Sequence, residues 1–95
     1  MTGSQYKVFI TSFFEKDVQR LTRKNKKLFL KIVNLKQILE DDPCNLSRQF
    51  EIKKLKGIKP GEGQYRIRWK EYRLRYDIFN KDVILYSFRH RKEAY

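Results

Sequence analysis

The sequence predicts an α+β fold: an N-terminal strand, two antiparallel helices and a three-stranded antiparallel meander, with the helices packed on one face of the sheet. Apolar residues alternate near the N-terminus, recur at helical spacing in the middle, and alternate with charged residues in the C-terminal part. This order of elements is typical of α+β domains. The 95 residues suit a single compact domain, which we expect to span residues 1–95.

The N-terminal strand is predicted over residues 5–10, and the first helix from Ser12 to about Lys24. Either Thr11 or Ser12 can cap this helix, and Glu15 follows Ser12 by three residues, as in a capping box. Apolar residues then recur at helical spacing, which predicts one buried stripe. The residues on the strand face and the helix stripe are Tyr6, Val8, Ile10, Phe14, Val18 and Leu21.

A second helix is predicted over residues 26–41, because four aliphatic residues repeat along one face and Pro43 ends the pattern. The short joint at Asn25 predicts that the two helices run antiparallel. The four aliphatic residues are Leu28, Ile32, Leu35 and Leu39. Residues 44–63 are predicted to be loop, with space for a short strand or turn within residues 50–55.

Three strands follow, over residues 65–69, 72–78 and 84–88, where apolar and polar residues alternate. Two tight turns join them, at Lys70-Glu71 and at Asn80-Lys81-Asp82. The predicted apolar faces carry Tyr65, Ile67, Trp69, Tyr72, Leu74, Tyr76, Ile78, Ile84, Tyr86 and Phe88.

Arginines are predicted to gather on the opposite face of this meander. A two-residue turn places Arg68 opposite Arg73 and Arg66 opposite Arg75, and a three-residue second turn places Arg89 beside Arg73. Like charges across a sheet are destabilising, whereas guanidinium groups bind phosphate through paired hydrogen bonds. Asp77 is the only acid among the positions assigned to this face. The sequence therefore favours a polyanionic ligand, although an open sheet face can also carry arginines without a function.

The overall charge agrees with a polyanionic partner. The chain has 23 Lys and Arg against 11 Asp and Glu, a net charge of +12, and a sequence pI of about 10.0. Nucleic acid, an anionic membrane surface and an acidic protein all fit this charge. The single cysteine, Cys44, cannot form an internal disulfide, which favours a reducing, cytoplasmic location. We expect no membrane-spanning segment, no signal peptide, no metal site and no cofactor.

The C-terminal run after the last strand combines a histidine, several cations and a terminal tyrosine. RNA cleavage by the neighbouring 2′-hydroxyl requires a proton acceptor, stabilisation of the phosphorane charge and a proton donor for the leaving oxygen. His90 and Tyr95 are candidates for such roles, and each is alternatively an ordinary structural or terminal residue. The remaining basic residues expected to bind RNA are Lys53, Lys54, Lys56, Arg75 and Arg91.

These features together resemble the RelE/ParE toxin superfamily, and in particular its RelE-like branch of mRNA-cleaving toxins. The resemblance spans nearly the whole chain and is densest in Leu55-Lys56-Gly57, Tyr65-Arg66-Ile67-Arg68, Tyr72-Arg73-Leu74-Arg75-Tyr76 and His90-Arg91-Lys92-Glu93-Ala94-Tyr95. It implies a toxin of a type II toxin–antitoxin system that cleaves mRNA in the ribosomal A site without a metal. It also implies an acidic antitoxin protein as partner.

The resemblance implies roles for individual residues. Arg66, Arg68, Arg73 and Arg89 match basic catalytic positions of the family, with Arg73 and Arg89 stabilising the transition state, and Tyr95 matches its catalytic tyrosine. Family members often have lysine in place of Arg66 and Arg68. Because arginine effectively never loses its proton, the general base is left open, and His90 becomes a candidate. The alternatives are a ParE-like DNA gyrase inhibitor and a non-catalytic nucleic-acid-binding module.

Overall fold

A computed structural model describes residues 6–94, with only the backbone described for Glu93 and Ala94. Eight elements follow one another along the chain. They are β1 (Lys7–Ile10), α1 (Ser12–Thr22), α2 (Lys26–Asp41), β2 (Ile52–Lys54), β3 (Tyr65–Trp69), β4 (Tyr72–Phe79), β5 (Asp82–His90) and α3 (Arg91–Ala94). Within the described residues, no helix combines the length and apolar character needed to cross a membrane.

The strands form one five-stranded sheet in the order β1-β5-β4-β3-β2. The predicted meander β3-β4-β5 is confirmed as its antiparallel centre. The N-terminal strand pairs parallel to β5, and β2 adds an antiparallel edge strand beside β3, inside the segment where a short strand or turn was expected. Residue 5, the predicted start of the first strand, lies outside the described residues.

Both long helices begin at polar caps. The Thr11 hydroxyl accepts a hydrogen bond from the Phe14 N–H at 3.1 Å, and the Asn25 side chain accepts one from the Leu28 N–H at 3.0 Å. Thr11 rather than Ser12 is therefore the cap of α1. The helix ends at Thr22, two residues before the predicted end, and the predicted bounds of α2 are confirmed.

The core lies between α2 and one face of the sheet, which confirms the α+β arrangement. The four aliphatic residues of the α2 stripe are all buried, as predicted. They pack with Phe14 of α1 and with the inward residues of the three central strands. On the sheet, the fully or almost fully buried residues are Ile67, Leu74, Tyr76, Val83, Leu85 and Phe88. This packing leaves the opposite face of β2, β3, β4 and β5 for polar side chains.

A β-bulge in β5 decides which side chains reach that opposite face. Phe79 pairs with Asp82, so the second turn contains two residues, and the predicted three-residue turn is wrong. The register shifts between Arg75 and Tyr76, which leaves Tyr86 as an extra residue in β5. Because the turn is one residue shorter than predicted and the bulge adds one residue to β5, Arg89 still pairs with Arg73.

The bulge also corrects the predicted apolar face of β5. Val83 and Leu85 are buried, whereas Ile84 and Tyr86 are only partly buried. The prediction that Ile84 and Tyr86 share the face of Phe88 is therefore wrong, because the extra residue reverses the alternation on one side of the bulge.

Candidate nucleic-acid interface

Five arginines from β3, β4 and β5 share the sheet face opposite the helices, and we call this surface the arginine face. Arg68 pairs with Arg73, Arg66 pairs with Arg75, and Arg73 also pairs with Arg89. Residues directly opposite in antiparallel strands point to the same face. The predicted convergence of Arg66, Arg68, Arg73, Arg75 and Arg89 on one surface is confirmed.

The two outer arginines of the row Arg68-Arg73-Arg89 each face a carboxylate. Arg68 Nε lies 4.0 Å from Glu51 Oε2, and Arg89 Nε lies 3.7 Å from Asp17 Oδ2. Both arginine side chains are about half exposed, so these ion pairs add little stability. Their effect is mainly to orient the two guanidinium groups at either side of Arg73.

Arg73, in the middle of the row, has no such partner in the described part of the chain. Its Nε and Nη1 atoms are buried and make no hydrogen bond there, and the residue is only 9% exposed. A pocket of 240 Å³ opens at this point and is lined by Arg73, Arg75, Ser87 and Arg89. A buried cation with unmet donors is costly for folding. The pocket is therefore suited to an anion with several oxygen acceptors.

Asp17 of α1 fixes the strand that carries Arg89. Its Oδ2 accepts a hydrogen bond from the Phe88 N–H at 3.0 Å, and its Oδ1 lies 3.3 Å from Arg20 Nη2. Strand β1 ends at Ile10, opposite Leu85, so the edge of β5 at Phe88 lacks a strand neighbour on that side. The carboxylate takes the place of that neighbour and brings a negative charge to the Arg89 guanidinium.

The sequence predicts that Asp77 lies open on the arginine face, but in the structure Asp77 is completely buried. Its carboxylate accepts hydrogen bonds from the backbone N–H groups of Gly61, Gly63 and Gln64 at 2.8, 3.1 and 2.7 Å. Arg75 binds the same loop, because its Nε and Nη2 donate to the Gly63 carbonyl at 3.1 and 3.0 Å. The loop before β3 thus covers one end of the face.

Tyr86, the extra residue of the bulge, lies near this covered end. Burial raises the pKa of its hydroxyl, and the negative charge of Asp77 raises that pKa further. The hydroxyl therefore stays protonated at neutral pH, and Tyr86 can donate a hydrogen bond but cannot act as a base.

His90 is not brought to the arginine face. Strand β5 continues through His90, which pairs with Tyr72 on the helix side, and the two rings meet edge-on at 5.2 Å. His90 Nε2 lies 3.5 Å from Glu71 Oε1, and Nδ1 accepts a hydrogen bond from the Lys92 N–H at 3.2 Å. Tyr95 lies outside the described residues, so its predicted position at the border of the face stays a prediction.

The other predicted RNA-binding residues are spread over several surfaces. Lys53 pairs with Arg66 and extends the arginine face to the edge strand β2. Lys54 points the other way, with Nζ 5.7 Å from the Tyr65 ring centroid, and Lys56 is exposed in the following loop. Arg91 begins α3, and its Nε lies 3.4 Å from Glu71 Oε1.

The arginine face can bind phosphate and stabilise negative charge, but its guanidinium groups cannot accept a proton. Within residues 6–94, no group of three or more His, Cys, Asp or Glu side chains is arranged to hold a metal ion. Asp17 and Ser87 belong to this surface but were not predicted from the sequence. A signal existed for Asp17, because an acid on the apolar stripe of α1 indicates a buried partner, whereas Ser87 depends on the bulge.

Comparison with known proteins gives a consistent result. The family described as "ParE toxin of type II toxin-antitoxin system, parDE" matches residues 8–95. No curated protein matches the chain.

Three solved structures are similar to the chain over most of their length. A chain of the DinJ-YafQ toxin-antitoxin complex from E. coli is 18% identical, with 96% of this chain and 98% of that chain covered and a TM-score of 0.74. A chain of the RelB-RelE antitoxin-toxin complex from Methanococcus jannaschii is 27% identical, with coverage of 92% and 94% and a TM-score of 0.61. A copper-bound mutant toxin from Helicobacter pylori is 20% identical, with coverage of 95% and 99% and a TM-score of 0.65.

Proposed function

Because the chain belongs to the ParE toxin family, within the RelE/ParE superfamily of type II toxin–antitoxin systems, we propose that it is a toxin that cleaves messenger RNA. The proposed reaction is ribosome-dependent and takes place on mRNA in the A site. The observation that carries this proposal is that Arg73 lines one pocket together with Arg75 and Arg89 while two of its buried donors have no hydrogen-bond partner among residues 6–94. Such a site is complementary to a phosphate group.

In the proposed reaction, the 2′-oxygen of one nucleotide attacks the neighbouring phosphorus. The bond from the 2′-oxygen to phosphorus forms, and the bond from phosphorus to the 5′-oxygen breaks, which leaves a 2′,3′-cyclic phosphate and a 5′-hydroxyl. Negative charge builds up on the non-bridging oxygens in the transition state. Arg73 and Arg89 stabilise this charge, and no cofactor is required because the guanidinium groups supply the positive charge.

The remaining arginines and lysines of the face have a binding role in this proposal. Arg66, Arg68 and Lys53 lie in neighbouring rows and offer cations to successive phosphates along the strand. Arg75 is already used to hold the loop before β3, so its main effect is to shape the pocket. Lys54, Lys56 and Arg91 lie further away, where they can bind RNA only outside the cleavage position.

The arginine face supplies no acceptor for the 2′-hydroxyl proton, so in this proposal the proton passes to a group outside the face. An arginine cannot accept the 2′-hydroxyl proton, so the acceptor must be another group. His90 is the only histidine, but it faces the helix side, which makes direct transfer from RNA bound at Arg73 geometrically unfavourable. Tyr95 is proposed to stack on a base beside the scissile phosphate and to orient it.

The proposed partners are an acidic antitoxin, the ribosome and mRNA, and the proposed location is the cytoplasm, where these meet. The similar chains from the DinJ-YafQ and RelB-RelE complexes come from toxin–antitoxin assemblies, which supports an antitoxin partner for this toxin. An acidic antitoxin segment laid over the arginine face would neutralise Arg73 and block RNA at the same time.

Inhibition of DNA gyrase is the second candidate, because the matching family carries the ParE name. A gyrase inhibitor has no need for a buried cation that lines a pocket with two further arginines, so the arginine face favours RNA cleavage. A non-catalytic nucleic-acid-binding module would use the same face but would leave mRNA intact.

The test is to map mRNA 5′ ends after adding the chain to a ribosome-containing translation extract. We expect new 5′-hydroxyl ends that disappear when ribosomes are removed. Arg73→Gln should lower the cleavage rate by roughly 10²-fold, the usual effect of losing a preorganised donor. The matched control is Arg48→Gln, an exposed loop arginine whose loss of charge should leave cleavage unchanged. Gyrase-dependent DNA breaks without new mRNA ends would overturn the proposal in favour of the second candidate.

A further inference from the structure

The pocket of the arginine face has one lining side chain that is not a guanidinium, that of Ser87. Ser87 lies in β5 opposite Arg75, and the neighbouring row is the pair of Arg73 with Arg89. Residues two apart on a strand point to the same face and lie about 6.6 Å from each other, so Ser87 is close to Arg89. Because serine is much shorter than arginine, a ligand can approach the sheet more closely at Ser87 than at its neighbours.

The bulge in β5 brings Ser87 to this face. Without the extra residue, the two-residue turn would pair Arg75 with Tyr86 and Leu74 with Ser87. Ser87 would then point to the helix side, where Leu74 is completely buried. Bulges next to functional sites commonly re-aim a side chain in this way. The register shift therefore adds a hydroxyl to a pocket that otherwise contains only cations.

The Ser87 hydroxyl is available to a ligand. The residue is only partly buried, and its Oγ makes no hydrogen bond within residues 6–94. A hydroxyl provides one donor and two acceptor positions, whereas a guanidinium provides donors alone. Among the four residues that line the pocket, Ser87 therefore has the only side chain that accepts a hydrogen bond.

The Asp17 carboxylate lies beside Arg89 but does not compete for this role. Its Oδ2 accepts the hydrogen bond from the Phe88 N–H, and its Oδ1 accepts one from Arg20 Nη2. The side chain is only 11% exposed and is not part of the pocket lining. A ligand bound between the arginines thus meets Ser87 as its acceptor.

An acceptor in this pocket matters because donors alone do not distinguish RNA from DNA. Both carry the same phosphate, and they differ in the 2′-hydroxyl, which donates as well as accepts a hydrogen bond. A guanidinium cannot accept from that hydroxyl, but a serine can. The pocket of 240 Å³ has space for roughly eight groups of the size of water, at about 30 Å³ each, which is more than one phosphate group fills.

We propose that Ser87 Oγ accepts a hydrogen bond from the ribose 2′-hydroxyl beside the phosphate held at Arg73, and that this contact makes the pocket prefer RNA to DNA. The inference rests on the proposed binding of RNA at the arginine face and names the residue that recognises the sugar. The contact orients the 2′-oxygen without removing its proton, so the general base is a different group.

Binding measured without ribosomes tests this contact apart from cleavage. Labelled single-stranded oligonucleotides of uridine and of 2′-deoxyuridine differ only in the 2′-hydroxyl, and fluorescence anisotropy gives the dissociation constant of each. We expect the wild-type chain to bind the ribose form more tightly. Ser87→Ala should reduce this preference by roughly two- to tenfold, the effect of one neutral hydrogen bond, and leave binding of the deoxyribose form unchanged. Ser87→Thr keeps the hydroxyl and should keep the preference.

The matched control is Ser47→Ala, which removes a hydroxyl from an exposed loop, where it donates to Asp42 Oδ2 at 2.7 Å. Circular dichroism establishes that each variant is folded. Equal binding of the two oligonucleotides by the wild-type chain would overturn the proposal. An unchanged preference in Ser87→Ala, or an equal loss in Ser47→Ala, would overturn it as well.

Mapping of mRNA 5′ ends in the ribosome-containing extract separates this inference from the proposed function. Ser87→Ala should cut mRNA more slowly than the wild-type chain, and Ser87→Thr should restore the rate. A wild-type chain that binds ribose preferentially through Ser87 but cuts no mRNA would contradict the proposed cleavage and support this inference. A wild-type chain that cuts mRNA, with a Ser87→Ala variant that keeps both the rate and the ribose preference, would contradict this inference alone.

Discussion

Replacing Asp17 separates the structural role of this carboxylate from its role at the arginine face. Asp17→Ala leaves the buried Phe88 N–H without the acceptor that now lies at 3.0 Å. A hydrogen bond to a charged group contributes about 1.5–3 kcal/mol. The ion pairs with Arg20 and Arg89 add at most about 1 kcal/mol together, because both arginines are about half exposed. We therefore expect Asp17→Ala to lose about 2–4 kcal/mol, a large part of the roughly 5–14 kcal/mol available to a domain of this size.

Asp17→Asn is the matched variant, since the amide oxygen still accepts from the Phe88 N–H but the negative charge beside Arg89 is gone. We expect it to lose only about 1 kcal/mol of stability. Cleavage in the ribosome-containing extract should nevertheless fall by roughly ten- to a hundred-fold, the scale for a misplaced catalytic group. Chemical denaturation measures the stabilities, and 5′-end mapping measures cleavage.

Two results would refute this reasoning. Equal stability of the Asp17→Asn and Asp17→Ala chains would mean that the Phe88 hydrogen bond contributes nothing. Wild-type cleavage by Asp17→Asn would mean that the charge of Asp17 does not orient Arg89.

Two further predictions concern the loop before β3 and the core. Gly63→Ala should destabilise the chain by more than Gly57→Ala: both have positive φ, at +81° and +76°, but only at Gly63 would a new Cβ lie 3.0 Å from the Arg75 Cβ. Equal losses in thermal unfolding would contradict this difference. Burial raises the pKa of the Tyr76 hydroxyl, which donates a hydrogen bond to the Pro43 carbonyl at 2.6 Å. The free energy of unfolding should therefore be constant below about pH 10, the ordinary pKa of tyrosine in the unfolded chain. Above that pH it should fall by about 1.4 kcal/mol per pH unit, because the hydroxyl ionises in the unfolded chain but stays protonated in the folded one. Tyr76→Phe should lower stability at neutral pH and remove this tyrosine's part of the alkaline loss, and an unchanged alkaline slope would count against it.

The central hairpin could be predicted from sequence because its signals are local. The alternation of β3 and β4 and the two-residue turn at Lys70-Glu71 together determine the register, and so the pairing of Arg68 with Arg73. The sequence predicts the pairing of Arg73 with Arg89 from a three-residue turn. The structure reaches the same pairing by another route, a two-residue turn followed by a bulge.

The features that could not be predicted from the sequence depend mainly on contacts between distant segments of the chain. The bulge at Tyr86 cannot be recognised from the sequence, because Leu85 and Tyr86 are both compatible with either the core face or the arginine face of the sheet. Asp77 is buried by a loop that begins more than ten residues earlier in the chain. The predicted end of α1 lies two residues beyond the observed end, because the residues after Thr22 are polar and contain no stop signal.

The central claim is that Arg73, a buried cation with two donors unpaired within the described part of the chain, binds a phosphate group. Thermal unfolding of Arg73→Met with and without inorganic phosphate tests this claim most directly. Without phosphate, the variant should be at least as stable as the wild-type chain, because a buried charge between two other arginines is replaced by a flexible, uncharged apolar side chain. Added phosphate should stabilise the wild-type chain and leave the variant unaffected. A variant that is clearly less stable, and that gains as much from phosphate as the wild-type chain does, would contradict the account.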